Sequence, residues 1–177
     1  MKNLKIIDLS EIKQEHCPLF VQSGDMRGFL GWGIKFRTKS DWSHSMIMRR
    51  PGFVCSQGWT YKEIPISKYD KRGVILKFWI CKGMTLSEFQ NIMIKIEEEL
   101  RLPFWKRMYD FPGIIGQAIG LRWINVPFLR YCSERVASKL RILIPSLRKK
   151  PNPEDIDLAC KESERMSVYG YSFHKDF

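Results

Sequence analysis

Apolar and polar positions along this chain follow two different periods. Gly73 to Cys81 is a run dominated by β-branched and aromatic residues and predicts a strand. His44 to Met48 predicts another, Arg50-Pro51-Gly52 a tight turn, and Phe53 to Ser56 the returning partner. Glu63 to Ile66 is a short extended run, and residues 4–9 fit either a short strand or a loose arm. Ser23-Gly24-Asp25 carries a turn signal. The helical period takes over at Thr85. Thr85 and Glu88 have the spacing of a capping box, and Phe89, Ile92, Met93, Ile96 and Leu100 share one face before Pro103 ends the pattern. Residues 110–124 predict one or two short helices broken by glycine. Ser133 to Ile144 predicts a further helix with Val136, Ala137, Leu140, Leu143 and Ile144 as its stripe, stopped by Pro145. Pro151 to Asp155 is a rigid turn followed by one helical turn.

Composition adds a size and a charge to this α+β pattern. A chain of 177 residues with 44% hydrophobic and 13% aromatic content predicts one folded domain over 1–177. Thirty Lys and Arg against nineteen acids give a net charge of +11, which favours anionic partners such as wall polymers, membrane surfaces or nucleic acid. The cations are spread along the chain, and Arg148-Lys149-Lys150 reads as a solvated face. RNP-like, KH-like and zinc patterns are lacking, which weighs against nucleic acid.

Cysteines 17, 55, 81, 132 and 160 are odd in number and contain no CxxC pair, so no metal or other cofactor is predicted. They fit a reduced compartment, with four structural thiols and one reactive one. No signal peptide is read at the N-terminus, and Phe111 to Leu129 is too rich in polar residues, proline and glycine to span a membrane. The expectation is a protein cytoplasmic as synthesised, with carriage in a virion or export to a host cell left open.

Two residues stand out chemically. Cys132 precedes the apolar stripe that begins at Val136, so it falls at the start of its helix, where unpaired N–H groups favour a thiolate and can hold an oxyanion. His44 lies within a predicted strand, whereas His16 and His174 lie near the chain ends. A third group orients such an imidazole, and the paired strand is its natural source. If Arg50 opposes Phe53, Gln57 shares the face of His44. If Arg49 opposes Phe53, Ser56 does.

Five pieces occur in order: Ser23-Gly24-Asp25, the Ser43-His44 pair within 40–47, Tyr109-Asp110, Tyr131-Cys132-Ser133-Glu134-Arg135-Val136, and Pro153-Glu154-Asp155. Together they resemble the circularly permuted papain-like group, the YiiX-like relatives of the NlpC cell-wall peptidases. The resemblance covers roughly residues 20–160, leaving 1–19 as an arm and 161–177 as a tail. It implies a small antiparallel sheet or barrel packed against helices, with the nucleophile helix near the C-terminus. It also implies Cys132 as nucleophile and His44 as general base. Relatives commonly carry a glutamate in the strand after the histidine. Here that run is Phe53 to Gly58 and holds no acid, so Gln57 or Ser56 takes the orienting role.

The implied activity is a cysteine hydrolase of amide or ester bonds, with a peptidoglycan stem peptide as one substrate class. Two other expectations compete with it. One is a lipid acyltransferase or lipase-like thiol enzyme, acting on a lipid ester, with Phe29 to Phe36 and Phe111 to Leu129 near the lipid. The other is a catalytically weak binding or structural module.

Overall fold

A computed structural model describes residues 5–25, 41–108 and 130–173. Within them the chain is α+β, with a six-stranded antiparallel open sheet and three α-helices. The strands are β1 Leu19–Asp25, β2 His44–Arg50, β3 Phe53–Gln57, β4 Tyr61–Pro65, β5 Val74–Cys81 and β6 Met166–Phe173. Their order across the sheet is β4-β3-β2-β1-β5-β6. The helices are α1 Leu86–Arg101, α2 Cys132–Leu140 and α3 Pro153–Glu162.

The sheet is covered on both faces. On one, Ile92 and Ile96 of α1, Val136, Ala137 and Leu140 of α2, and Ile156 and Cys160 of α3 pack on Phe20, Ile47, Cys55 and Trp79. On the other, Ile7, Ile12 and Cys17 from the N-terminal segment, with Ile66, cover Leu19, Val21, Met46, Met48, Val54 and Phe78. Residues 5–18 are therefore a packed cover rather than a loose arm. The last stretch is not a tail either: β6 pairs with β5 from Ile75 to Cys81. Its polar and glycine positions hide the alternation that marks the other strands.

Local chemistry explains most of the helix ends. Thr85 and Glu88 form the reciprocal capping box, Thr85 N–H donating to Glu88 at 2.9 Å and Glu88 N–H to Thr85 Oγ1 at 3.2 Å. The α3 helix has Asn152 as its cap and Pro153 in its first turn, so the predicted single turn runs for ten residues. The α2 helix stops at Leu140, short of Ile144. Bonds from Ile142 to Lys139 and from Leu143 to Leu140 tighten the chain there, ahead of Pro145.

Two departures shape the functional end of the sheet. Ser23-Gly24-Asp25 is not a turn but the end of β1, which continues in register against β5 through Asp25. Gly24 is required there because a Cβ would sit 2.8 Å from the Asp41 carbonyl oxygen. The second departure is a bulge. Arg50 opposes Phe53 across the Pro51-Gly52 turn, where Gly52 has φ of 76°, yet Met48 opposes Val54 and Ile47 opposes Cys55. Arg49 is the extra residue, and it reverses the parity of everything beyond it. Arg49 and Arg50 both reach Glu63, at 3.1 and 2.9 Å.

Candidate active site

The bulge decides which β3 side chain meets His44. With Met48 opposite Val54, strand alternation puts His44, Met46, Val54 and Ser56 on one face and Ile47, Cys55 and Gln57 on the other. His44 Nε2 lies 2.8 Å from Ser56 Oγ, and Ser56 Oγ lies 2.6 Å from the Tyr69 hydroxyl. Tyr69 also stacks on the imidazole, with ring centroids 5.7 Å apart and planes 22° from parallel. Gln57 is elsewhere: its amide nitrogen donates to the Arg107 carbonyl at 2.9 Å. Of the two residues expected to orient the ring, Ser56 is the one in contact with it, and Gln57 ties β3 to the segment after α1.

Cys132 is the first residue of α2 and is buried. Tyr131 is the cap, and its N–H donates to Glu134 over 3.4 Å. Ser133 Oγ donates to the Pro151 carbonyl at 2.6 Å, which anchors the helix start to the turn before α3. The helix lies on β2 and β3 and brings the thiol to the beginning of β2. There the backbone N–H groups of Ser45, Ser133 and Cys132 itself lie close enough to Sγ to favour its charged form. Ser45 follows His44 directly, so the thiol approaches this backbone from the helix-covered face, whereas the His44 ring lies with Met46, Val54 and Ser56 on the other. Among the described residues no hydrogen bond joins thiol to ring; the ring's bond goes to Ser56.

The electrostatics differ from what a cysteine at a helix start predicts. Burial pushes the Cys132 thiol up to about 11, and the three N–H groups offset only part of that rise. Burial also pushes His44 down to about 4. Both members are therefore neutral at pH 7. The physical reason is the same for both: removing water from a group disfavours its charged form. Ser56 and Tyr69 are neutral partners and add no negative charge that would hold an imidazolium.

Ser45 is itself held from the side by Gln22, whose amide oxygen accepts from Ser45 Oγ at 2.8 Å. Gln22 faces Lys77 on β5, and Lys77 is paired with Asp157 at 2.7 Å beneath the Trp79 ring. This buried polar row runs from the thiol's neighbour across the sheet. Sequence reasoning missed Tyr69, Ser45 and Gln22. Tyr69 lies in the turn after β4 and joins the site only through folding, so no local signal marks it.

Tyr109 and Asp110, Phe29 to Phe36, Phe111 to Leu129 and His174 lie outside the described residues. Asp155 caps α3 through Asn152, which is a structural role for the Pro153-Glu154-Asp155 turn. All five cysteines are free thiols and buried. Among the described residues no cluster of three or more His, Cys, Asp or Glu could hold a metal ion, and no helix is long and apolar enough to cross a membrane. No family model matches the chain, and no curated protein matches it.

Proposed function

We propose that the protein is a thiol hydrolase of amide or ester bonds, with Cys132 as nucleophile, His44 as general base and Ser56 as the residue that orients the base. The observation that carries this reading is the approach of the α2 start to the backbone beside His44 at the beginning of β2. A thiol at a helix N-terminus lies near the backbone N–H of the residue that follows a histidine, and that histidine's Nε2 is already held by Ser56. With Nε2 committed, Nδ1 is the nitrogen that serves the thiol. For Nδ1 to accept a proton, Nε2 must carry one and donate it to Ser56 Oγ. Ser56 then donates onward to Tyr69, or accepts from it as well.

In the reaction, His44 removes the Cys132 proton as sulfur attacks the substrate carbonyl. The N–H groups at the start of α2 and of Ser45 face the region where negative charge develops on oxygen. His44 returns the proton to the leaving amine or alcohol, an acyl-thioester remains on Cys132, and water activated by His44 releases it. The neutral resting pair fits general-base assistance during attack rather than a preformed ion pair.

We read the fold as circularly permuted papain-like, a reading supported by the early strand that carries His44 and the late helix that opens on Cys132. The strongly basic chain suits an anionic substrate surface, and a peptidoglycan stem peptide is the substrate class we propose first. The test is acyl trapping. Incubation with p-nitrophenyl acetate should leave an acetyl group on Cys132 by peptide mass mapping, and Cys132→Ala should remove it. His44→Ala should slow its formation. Acetylation confined to other residues, or equal in wild type and Cys132→Ala, refutes the proposal.

A further inference from the structure

Beside the site, three large aromatic side chains stand in solvent. Trp59 is 78% exposed in the β3–β4 turn, and Phe104 and Trp105 are 60% and 65% exposed in the short turn after α1. The two turns are joined. Thr60 bridges Met108, Gln57 donates to the Arg107 carbonyl, and Arg107 donates to the Tyr61 carbonyl at 3.4 Å. They therefore form one surface, continuous with the strand that carries Ser56.

The turns that carry them hold cations and no acid, although Arg101 also pairs with Glu97 at 3.5 Å. Residues 101–108 contain Arg101, Lys106 and Arg107 and no acid, and residues 58–62 contain Lys62 and no acid. Lys62, Arg101, Lys106 and Arg130 are exposed. Glu99, a partly buried acid on α1, is engaged by Arg130, Arg135 and Lys139, so three cations surround one carboxylate.

From this arrangement we propose that the joined turns bearing Trp59, Phe104 and Trp105 dock the protein on an anionic lipid bilayer, presenting the Cys132–His44 end of the sheet to substrates held at that surface. Exposed tryptophan and phenylalanine ringed by Lys and Arg match an interface with apolar depth and anionic headgroups. An aqueous anionic polymer would satisfy the cations and leave the aromatic rings in water. Single-stranded nucleic acid would use the rings for stacking, but it needs a basic groove to follow its backbone. Here the rings project from two turns instead.

The test uses the full chain and sedimentation with vesicles of phosphatidylcholine alone or mixed with phosphatidylglycerol. Wild type should bind the mixed vesicles and not the neutral ones, and added salt should weaken it. Trp59→Ser with Trp105→Ser should weaken binding by about tenfold or more without lowering the melting temperature, because both side chains are exposed. Lys62→Glu should weaken it too. Cys132→Ala should bind as wild type, which separates docking from the thiol chemistry. Equal binding by the tryptophan variant and wild type would assign attachment to net charge and overturn the proposal. So would failure of wild type to bind, or loss of an oligonucleotide instead of vesicles in the tryptophan variant.

Discussion

Replacing Ser56 with aspartate should switch on the Cys132 thiol. The gap between a thiol near 11 and an imidazole near 4 makes transfer of the proton within the pair cost about 10 kcal/mol. Ser56 Oγ stands 2.8 Å from Nε2, so a carboxylate there would face the ring directly. An opposite charge at that range raises a histidine pKa by about 1–3 units, and the Tyr69 hydroxyl already aimed at Oγ would hydrogen-bond the new carboxylate. The thiolate–imidazolium form should rise by the same factor, roughly 10- to 1000-fold. The assay is the rate of iodoacetamide alkylation of Cys132 between pH 5 and 9, read by peptide mass mapping, with the His44 titration followed by NMR. Alkylation of a folded Ser56→Asp variant within about twofold of wild type, with His44 titrating unchanged, would refute the proposed link from Ser56 through His44 to the thiol. Gln57→Leu is the companion control. It should leave both the His44 titration and the alkylation rate as in wild type, because the Gln57 amide bonds the Arg107 carbonyl.

Three further outcomes follow from the packing and the charges. His44 titrates below its unfolded value, so the folded state gains nothing from protonating it while the unfolded state does. Stability should be full above about pH 6.5 and fall by up to about 3 kcal/mol as pH drops to about 4, and urea melts of His44→Phe should lose that part of the dependence. Gly24→Ala forces a Cβ to within 2.8 Å of the Asp41 carbonyl. It should destabilise by about 1–3 kcal/mol and also disturb Trp42 to His44, seen as a changed His44 titration alongside a lower melting temperature. Leu140→Ala removes a fully buried side chain between helix and sheet and should cost about 2–5 kcal/mol in denaturant unfolding, without shifting the His44 titration.

Much of the fold was legible because its signals are local. The period-2 runs became β2, β3 and β5, the capping box at Thr85 opened α1, and Cys132 stood at the first position of its helix. β6 was not legible, since a strand that borrows its order from a neighbour needs little alternation of its own. The N-terminal segment was read as an arm because three apolar residues, Ile7, Ile12 and Cys17, give no period, yet together they seal a sheet face.

What the sequence determined by itself was the inventory: a basic α+β chain, a thiol at a helix start and a histidine on an early strand. Tertiary structure decided the chemistry available to them. One extra residue at Arg49 reversed the strand parity and put Ser56, not Gln57, against His44, a choice no propensity contains because both residues sit in the same strand. Burial then moved both ionisations toward neutrality, overriding the thiolate that a helix start favours. Parity and desolvation both depend on which surfaces the whole chain brings together, and that is a property of the fold rather than of any stretch of it.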